Sequence, residues 1–251
     1  GLNPAQREAV THDGGPLLVI AGAGSGKTRV LTHRIAWLNQ VFEVPLYRVL
    51  AVTFTNKAAK EMTARLSGML PINTRGMWIG TFHGLCNRLL RAHHKDAGLP
   101  QTFQILDTQD QLSAIKRLLK QMNVDDEKYP PRNLMYFINS AKDQGLRAKD
   151  VDAYDDYNRK FVELYELYDQ QCQREGVVDF AELMLRTYEI LRDHPEVREH
   201  YQRRFKHILV DEFQDTNRLQ YLWLKMFAGP HTAVLAVGDD DQSIYAFRGA
   251  Q

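Results

Sequence analysis

The chain is poor in cysteine: Cys86 and Cys172 are the only two in 251 residues. They stand far apart, and no CxxC pair or Cys/His cluster accompanies them. That argues against a disulfide framework and leaves free thiols in a reducing compartment as the expectation. His93 and His94 are adjacent but have no second ligand pair nearby, so a surface role is expected rather than a metal site. No apolar run approaches the roughly 20 residues needed to span a bilayer, and no charged-then-apolar signal segment opens the chain. A cytoplasmic protein without a membrane partner is the expectation. A charge of one sign is missing as well, since 32 Lys and Arg stand against 31 Asp and Glu. Any nucleic-acid site must then be a local groove rather than a basic tail. There is no internal repeat and no low-complexity linker. The first residue is Gly1 rather than methionine, and Gln251 follows directly on a motif-dense stretch, which suggests a piece of something longer.

What is present is an apolar content of 44%, enough for one large or two modest cores. Short β-branched runs at Leu17–Ile20, Val49–Thr53, Ile208–Val210 and Ala233–Val237, with a fifth at Met77–Ile79, fit buried parallel strands. Helical patterns follow the first two, over Thr28–Asn39 and Lys57–Ser67. From about Leu85 to Phe205 the periodicity reads as almost entirely helical. There Leu112, Ile115, Leu118, Leu119 and Met122 share one face, as do Tyr157, Phe161, Leu164, Tyr165, Tyr168 and Cys172. That aromatic stripe is read as core rather than as a stacking platform. The expected fold class is α/β with a parallel sheet, interrupted by an α-helical insertion.

In open α/β sheets ligands bind at the carboxyl ends of the strands, so the residues after each run matter most. After the first comes "AGAGSGKT", with Ala21 at the first P-loop position and the pattern G-x-x-x-x-G-K-[ST] otherwise kept. Glycines at 22, 24 and 26 let backbone N–H groups close on an anion, and the helix that follows adds the positive end of its dipole. The expected nucleotide cradle is Ala23, Gly24, Ser25, Gly26, Lys27 and Thr28. Lys27 would reach the β- and γ-phosphates and Thr28 would ligate Mg²⁺. After the third run, "ILVDEFQD" supplies Asp211 as a second Mg²⁺ ligand and Glu212 as base or positioner for an attacking water. Together these motifs imply a nucleoside triphosphatase.

Three further strand ends suggest a polymer. "VTFTNKAA" offers Phe54 as a stacker, with Thr55, Asn56 and Lys57 at a helix start. "GTFHG" repeats the recipe with Thr81, Phe82 and His83. "GDDDQSIYAFRGA" offers Gln242 as a γ-phosphate sensor, Tyr245 and Phe247 as stackers, and Arg248 as a charge contact. The plainer reading of each is a helix cap or a core aromatic.

Taken together, "LNPAQREAV", "AGAGSGKT", "VTFTNKAA", "GTFHG", "VDFAEL", "LVDEFQD" and "VGDDDQSIYAFRGA" resemble the superfamily-1 DNA helicases of the UvrD/Rep/PcrA group, over essentially the whole chain. The resemblance implies a RecA-like P-loop motor domain, called 1A, over residues 1–84 and 206–251, interrupted by a helical 1B subdomain over 85–205. It implies that Gln6 reads the adenine of ATP and that Arg29 lies near its base or sugar. Gln242 would couple the γ-phosphate to a DNA track lined by Phe54, Asn56, His83 and Tyr245. Asp179 and Phe180 would mark the return from the insertion, although Asp179 to Glu182 also reads as a helix N-cap with a carboxylate three residues on. Single-stranded DNA, single-strand/duplex junctions and repair proteins are the implied partners, with 3′-to-5′ polarity.

The sequence departs from the family at Phe247, where a tryptophan is usual. The family's second RecA-like half, with its γ-phosphate arginines, does not appear. An arginine finger is worth about 10³–10⁵ in rate, so this chain is expected to hydrolyse ATP poorly and not to unwind duplex alone. Two rival readings remain: a P-loop enzyme with a small substrate, and a nucleotide-gated DNA-binding module without turnover. Arg88, Arg91, Lys95, Lys142 and Arg147 either touch duplex DNA or form a solvated face.

Overall fold

The computed structural model describes residues 17–20, 26–71 and 76–238, with side chains from residue 29 onward apart from that of Gln214. Gln6, the run 21–25, Gln242, Tyr245, Phe247 and Arg248 therefore lie outside the described residues. The chain divides into two compact units. One comprises Gly1–Leu85, His194–Thr216 and Trp223–Gln251, and the other Cys86–Asp193 and Asn217–Leu222.

The first unit is built on a five-stranded sheet in the order β1-β7-β6-β2-β3. The strands are β1 (Leu17–Ile20), β2 (Val49–Thr53), β3 (Trp78–Thr81), β6 (His207–Val210) and β7 (Ala233–Gly238). Every neighbouring pair is parallel, with Leu17 opposite Leu235, His207 opposite Ala233, Val49 opposite His207 and Leu50 opposite Trp78. All five residues of β2 are buried, which is why its sequence is an unbroken apolar run and does not alternate. Helix α1 (Gly26–Val41) and helix α2 (Asn56–Met69) turn Val30, Leu31 and Ile35, and Met62 and Leu66, onto Val49, Ala51, Leu209 and Leu235. The alternate strand residues Leu50, Val52, Ile208 and Val210 are buried too, so both faces of the sheet are covered. Each such Leu or Ile contributes about 1.5–3 kcal/mol by leaving water.

The second unit is helical, with one correction to the sequence reading. Strand β4 (Gln104–Leu106) and strand β5 (Val177–Asp179) form a parallel two-stranded ladder inside a region expected to be almost all helix. Three-residue strands are too short to carry a period-2 signal. Around the ladder stand α3 (Phe82–Ala92), α4 (Thr108–Gln121), α5 (Pro131–Asp143), α6 (Asp156–Glu175) and α7 (Phe180–Asp193). Asp107 starts α4 with a capping box, Asp155 caps α6 through the Asn158 N–H, and α6 stops at Gly176, whose φ of 67° only glycine adopts cheaply. The expected aromatic stripe packs as core from Phe161 onward, where Phe161, Leu164, Tyr165 and Tyr168 meet Ile115, Leu119, Leu134 and Ile138, while Tyr157, in the first turn of α6, is exposed. Met122, expected on the α4 face, lies at the end of that helix and is exposed.

The core of this unit also contains charge. Lys142, 1% exposed, holds Asp179, Glu182 and Asp169 at 2.9, 2.9 and 3.1 Å. Burial opposes its charge, but those carboxylates outweigh burial and set its pKa well above the usual lysine range. Arg147 grips both oxygens of Glu182 at 2.7 Å and both of Glu189 at 2.6 and 2.9 Å. Asp179 receives the Tyr168 hydroxyl at 2.7 Å through one oxygen and caps α7 through the other, which accepts the Glu182 N–H at 2.7 Å. Lys142 and Arg147 are thus interior ion-pair partners, not a face for duplex DNA. Arg91 is committed as well, donating to the Gln101 and Phe103 carbonyls at 2.8 and 2.5 Å.

Candidate functional site

Parallel pairing sets every strand of the sheet unit pointing the same way, so the segments that follow β1, β2, β3 and β6 emerge at one edge. Helix α1 starts at Gly26, with five residues between it and the end of β1, and runs 16 residues with no acidic side chain in its first turn. Its first four N–H groups have no partner within the helix and carry the positive end of its dipole, which suits a phosphate. Gly26, Lys27 and Thr28 form that first turn, and Arg29 is exposed on it.

Asp211 follows β6 directly and is 5% exposed. Its N–H bonds the Val52 carbonyl at 3.0 Å, extending the β2–β6 ladder by one step. Its carboxylate accepts the Glu212 N–H at 2.8 Å. Glu212 is half-buried, with φ 51° and ψ 45° in the left-handed region. That conformation costs a non-glycine residue roughly 1–2 kcal/mol and turns its side chain away from the line of the strand. A buried carboxylate beside a second one re-aimed by backbone strain suits a metal–triphosphate ligand with a water positioner next to it. The left-handed turn at Glu212 was not foreseen from sequence, because nothing in Asp-Glu specifies it.

After β2, Thr53 is fully buried and donates to the Thr55 carbonyl at 3.1 Å. Thr55 caps α2 by accepting the Ala58 N–H at 3.0 Å, so its hydroxyl serves the fold as well as facing solvent. Asn56 is exposed in the first turn. Phe54 is half-buried and packs edge-on against Phe82 at 5.5 Å. Phe82 in turn meets Trp223 at 5.3 Å, and Trp223 meets Phe227 at 4.4 Å. This aromatic chain fixes one edge of the Phe54 ring in the core and leaves the rest open. After β3, the Thr81 hydroxyl accepts the Gly84 N–H at 3.1 Å and so begins α3. His83 sits half-buried in that turn, and burial lowers its pKa. Phe82, placed with Thr81 and His83 in the sequence reading, is only 2% exposed and serves as the ring on which Phe54 rests.

The structure therefore brings Asp211, Glu212, Phe54, Thr55, Asn56 and His83 to one edge of one sheet, the edge from which α1 also starts. Among the described residues no group of three or more His, Cys, Asp or Glu forms a metal cage, and no helix is long and apolar enough to cross a membrane.

A parallel sheet covered on both faces, with a glycine-rich sequence between its first strand and a helix and a strand-end Asp-Glu, defines a RecA-like P-loop architecture bearing a helical insertion. Residues 2–251 match the family model described as the UvrD/REP helicase N-terminal domain, and the chain belongs to that family. It is 55% identical to DNA helicase II of Escherichia coli strain K12 over 251 residues, covering all of this chain and 35% of that protein. DNA helicase II of Haemophilus influenzae is also 55% identical over 256 residues, again with 35% of its length covered. The ATP-dependent DNA helicase PcrA of Bacillus subtilis is 46% identical over 252 residues, 34% of its length. The chain thus spans about a third of the length of the curated relatives it matches.

Proposed function

We propose that this chain is the N-terminal motor part of an ATP-dependent helicase or translocase that moves 3′-to-5′ on single-stranded DNA. Its setting would be DNA repair in the bacterial cytoplasm, at the nucleoid. Family membership supports the reading. The observation that carries it is the convergence at one sheet edge of Asp211 and Glu212 with Phe54, Asn56 and His83. A P-loop enzyme with a small substrate needs the first pair and has no use for the second group.

In this reading residues 1–84 and 206–251 form the motor domain and 85–205 the insertion. Gln6 and Arg29 hold the base and sugar of ATP, and residues 23–28 cradle its phosphates. Lys27 neutralises the β- and γ-phosphates. Thr28 and Asp211 would hold Mg²⁺, which when bound spreads the charge of the triphosphate. Glu212 orients water for attack on the γ-phosphorus and receives its proton. Gln242 reports the γ-phosphate to the DNA loops, where Phe54, Tyr245 and Phe247 stack on bases while Thr55, Asn56, His83 and Arg248 follow the backbone. A second motor half would supply the arginines that complete the transition-state clamp.

Phosphate release from Mg-ATP by the chain, with and without a single-stranded oligonucleotide, tests the reading, with Glu212→Gln as control. The expected result is binding of both ligands, each strengthening the other, with little turnover and no duplex unwinding. Nucleotide binding that is indifferent to single-stranded DNA would overturn it in favour of a small-substrate P-loop enzyme.

A further inference from the structure

The opposite edge of the sheet unit carries a second polar site. Its lining is Tyr47, Arg48, His200, Arg203, Arg204 and Lys206, around an open cavity of about 640 Å³. Arg48 ends the 3₁₀ turn immediately before β2, and Lys206 immediately precedes β6. Lys206 N–H bonds the Arg48 carbonyl at 2.9 Å, and the Lys206 carbonyl accepts the Ala233 N–H at 2.9 Å. The cavity therefore lies where the strands begin, separated from Phe54, Asn56 and Glu212 by the length of a strand, about 15 Å at 3.3 Å per residue.

Two of the cations, Arg48 and Arg204, are held in place. Arg48 Nη1 donates to the Arg203 carbonyl at 3.0 Å. Arg204 donates to the Tyr47 carbonyl at 3.0 Å and the Gly76 carbonyl at 3.3 Å. Both guanidinium groups lie over the Tyr47 ring, at 4.9 and 5.9 Å from its centre. Tyr47 is itself 43% exposed. Among the described residues no carboxylate lines the cavity. Glu199, at its rim, approaches Arg203 only to 4.0 Å, and both of those side chains are more than half exposed. A chain with a net charge of only +1 has placed three arginines and a lysine around one concave spot.

We infer that this cavity is a docking site for an acidic segment of a partner protein. Arginine forks match carboxylates bidentately. Fixed Arg and Tyr side chains around a concavity are the residue types that dominate protein–protein hot spots, because little side-chain entropy is lost on binding. A nucleic-acid strand would favour a continuous track, whereas this site is a single hollow on the edge away from the proposed DNA loops.

Fluorescence anisotropy of a short labelled Glu/Asp-rich peptide containing one tryptophan, added to the 251-residue chain, tests the inference. Arg203→Ala with Lys206→Ala is the variant, since Arg203 is exposed and Lys206 half-buried, and a thermal melt checks its folding. The expected result is saturable, salt-sensitive binding that the variant weakens about tenfold or more, with single-stranded oligonucleotide binding unchanged. A photo-crosslinking version of the peptide should attach to wild-type chain at residues 47–48 or 200–206, a readout that needs no variant. Peptide binding unchanged in the folded variant, or crosslinks elsewhere, would overturn the inference. Loss of oligonucleotide binding in the variant with peptide binding intact would overturn it in favour of a second nucleic-acid contact.

Discussion

The carboxylate of Asp211 accepts the backbone N–H of its neighbour Glu212 at 2.8 Å, and that bond holds Glu212 in a left-handed conformation at φ 51°. One acid thus positions the other. Glycine adopts this conformation without strain, so Glu212→Gly should raise stability by about 1 kcal/mol. The same variant should lower any DNA-stimulated phosphate release by about 100-fold or more, because the water loses its positioner. A thermal melt and a phosphate-release assay on the same sample check both halves. A lower melting temperature would contradict the strain argument.

Phe54 and Thr55 are adjacent but should respond differently. Thr55→Ala removes the cap on α2 and should cost about 1 kcal/mol of stability, with a small effect on single-stranded DNA affinity. Phe54→Ala should weaken DNA binding by about 1–3 kcal/mol, the worth of one stacked base. Denaturant melts paired with anisotropy titrations separate the two.

Lys142 offsets three carboxylates inside the helical unit. Lys142→Met leaves Asp179 without its cation and takes one of the cations from Asp169 and Glu182, which keep Arg147, and should destabilise the protein by about 3–5 kcal/mol, the cost typical of breaking a buried pair from one side. Asp179→Asn in the same background should recover part of that loss. Urea denaturation of the single and double variants measures the coupling.

His207 starts β6, and burial together with nearby Arg34 lowers its pKa from 6.5 to about 4. The folded form therefore binds fewer protons than the unfolded chain between those values. Its contribution to stability is complete above about pH 6.5 and is lost as the pH falls toward 4. Partial exposure of the ring discounts the effect to about 1–2 kcal/mol. His207→Phe should flatten the pH dependence of the melting temperature across that window.

The sheet was largely legible because β2 is wholly buried and β6 and β7 nearly so: continuous apolar runs mark these three within a residue of their observed bounds. The strand-end rule then pointed to Asp211, Phe54 and His83 without coordinates. Sequence alone did not show the β4–β5 ladder, which is three residues on each side. Nor did it show that Lys142 and Arg147 face inward. A lysine on a helix reads as solvated until its partners are known, and those partners, Asp169, Asp179 and Glu182, lie on elements far along the chain. The cationic cavity was hidden for the same reason, since Tyr47 and Arg48 come from one end of the chain and Arg203 to Lys206 from the other.

The position of β1 has a consequence for how the protein is made. Among the described residues this strand lies at the end of the sheet with β7 as its neighbour, Leu17 opposite Leu235. A ribosome delivers β1 well before β7, so β1 waits while residues 21–232 are made before this partner exists. Such long-range pairing is slow and leaves an apolar strand edge open meanwhile. A nascent chain stopped before Ala233 carries β1 without the β7 surface it pairs with.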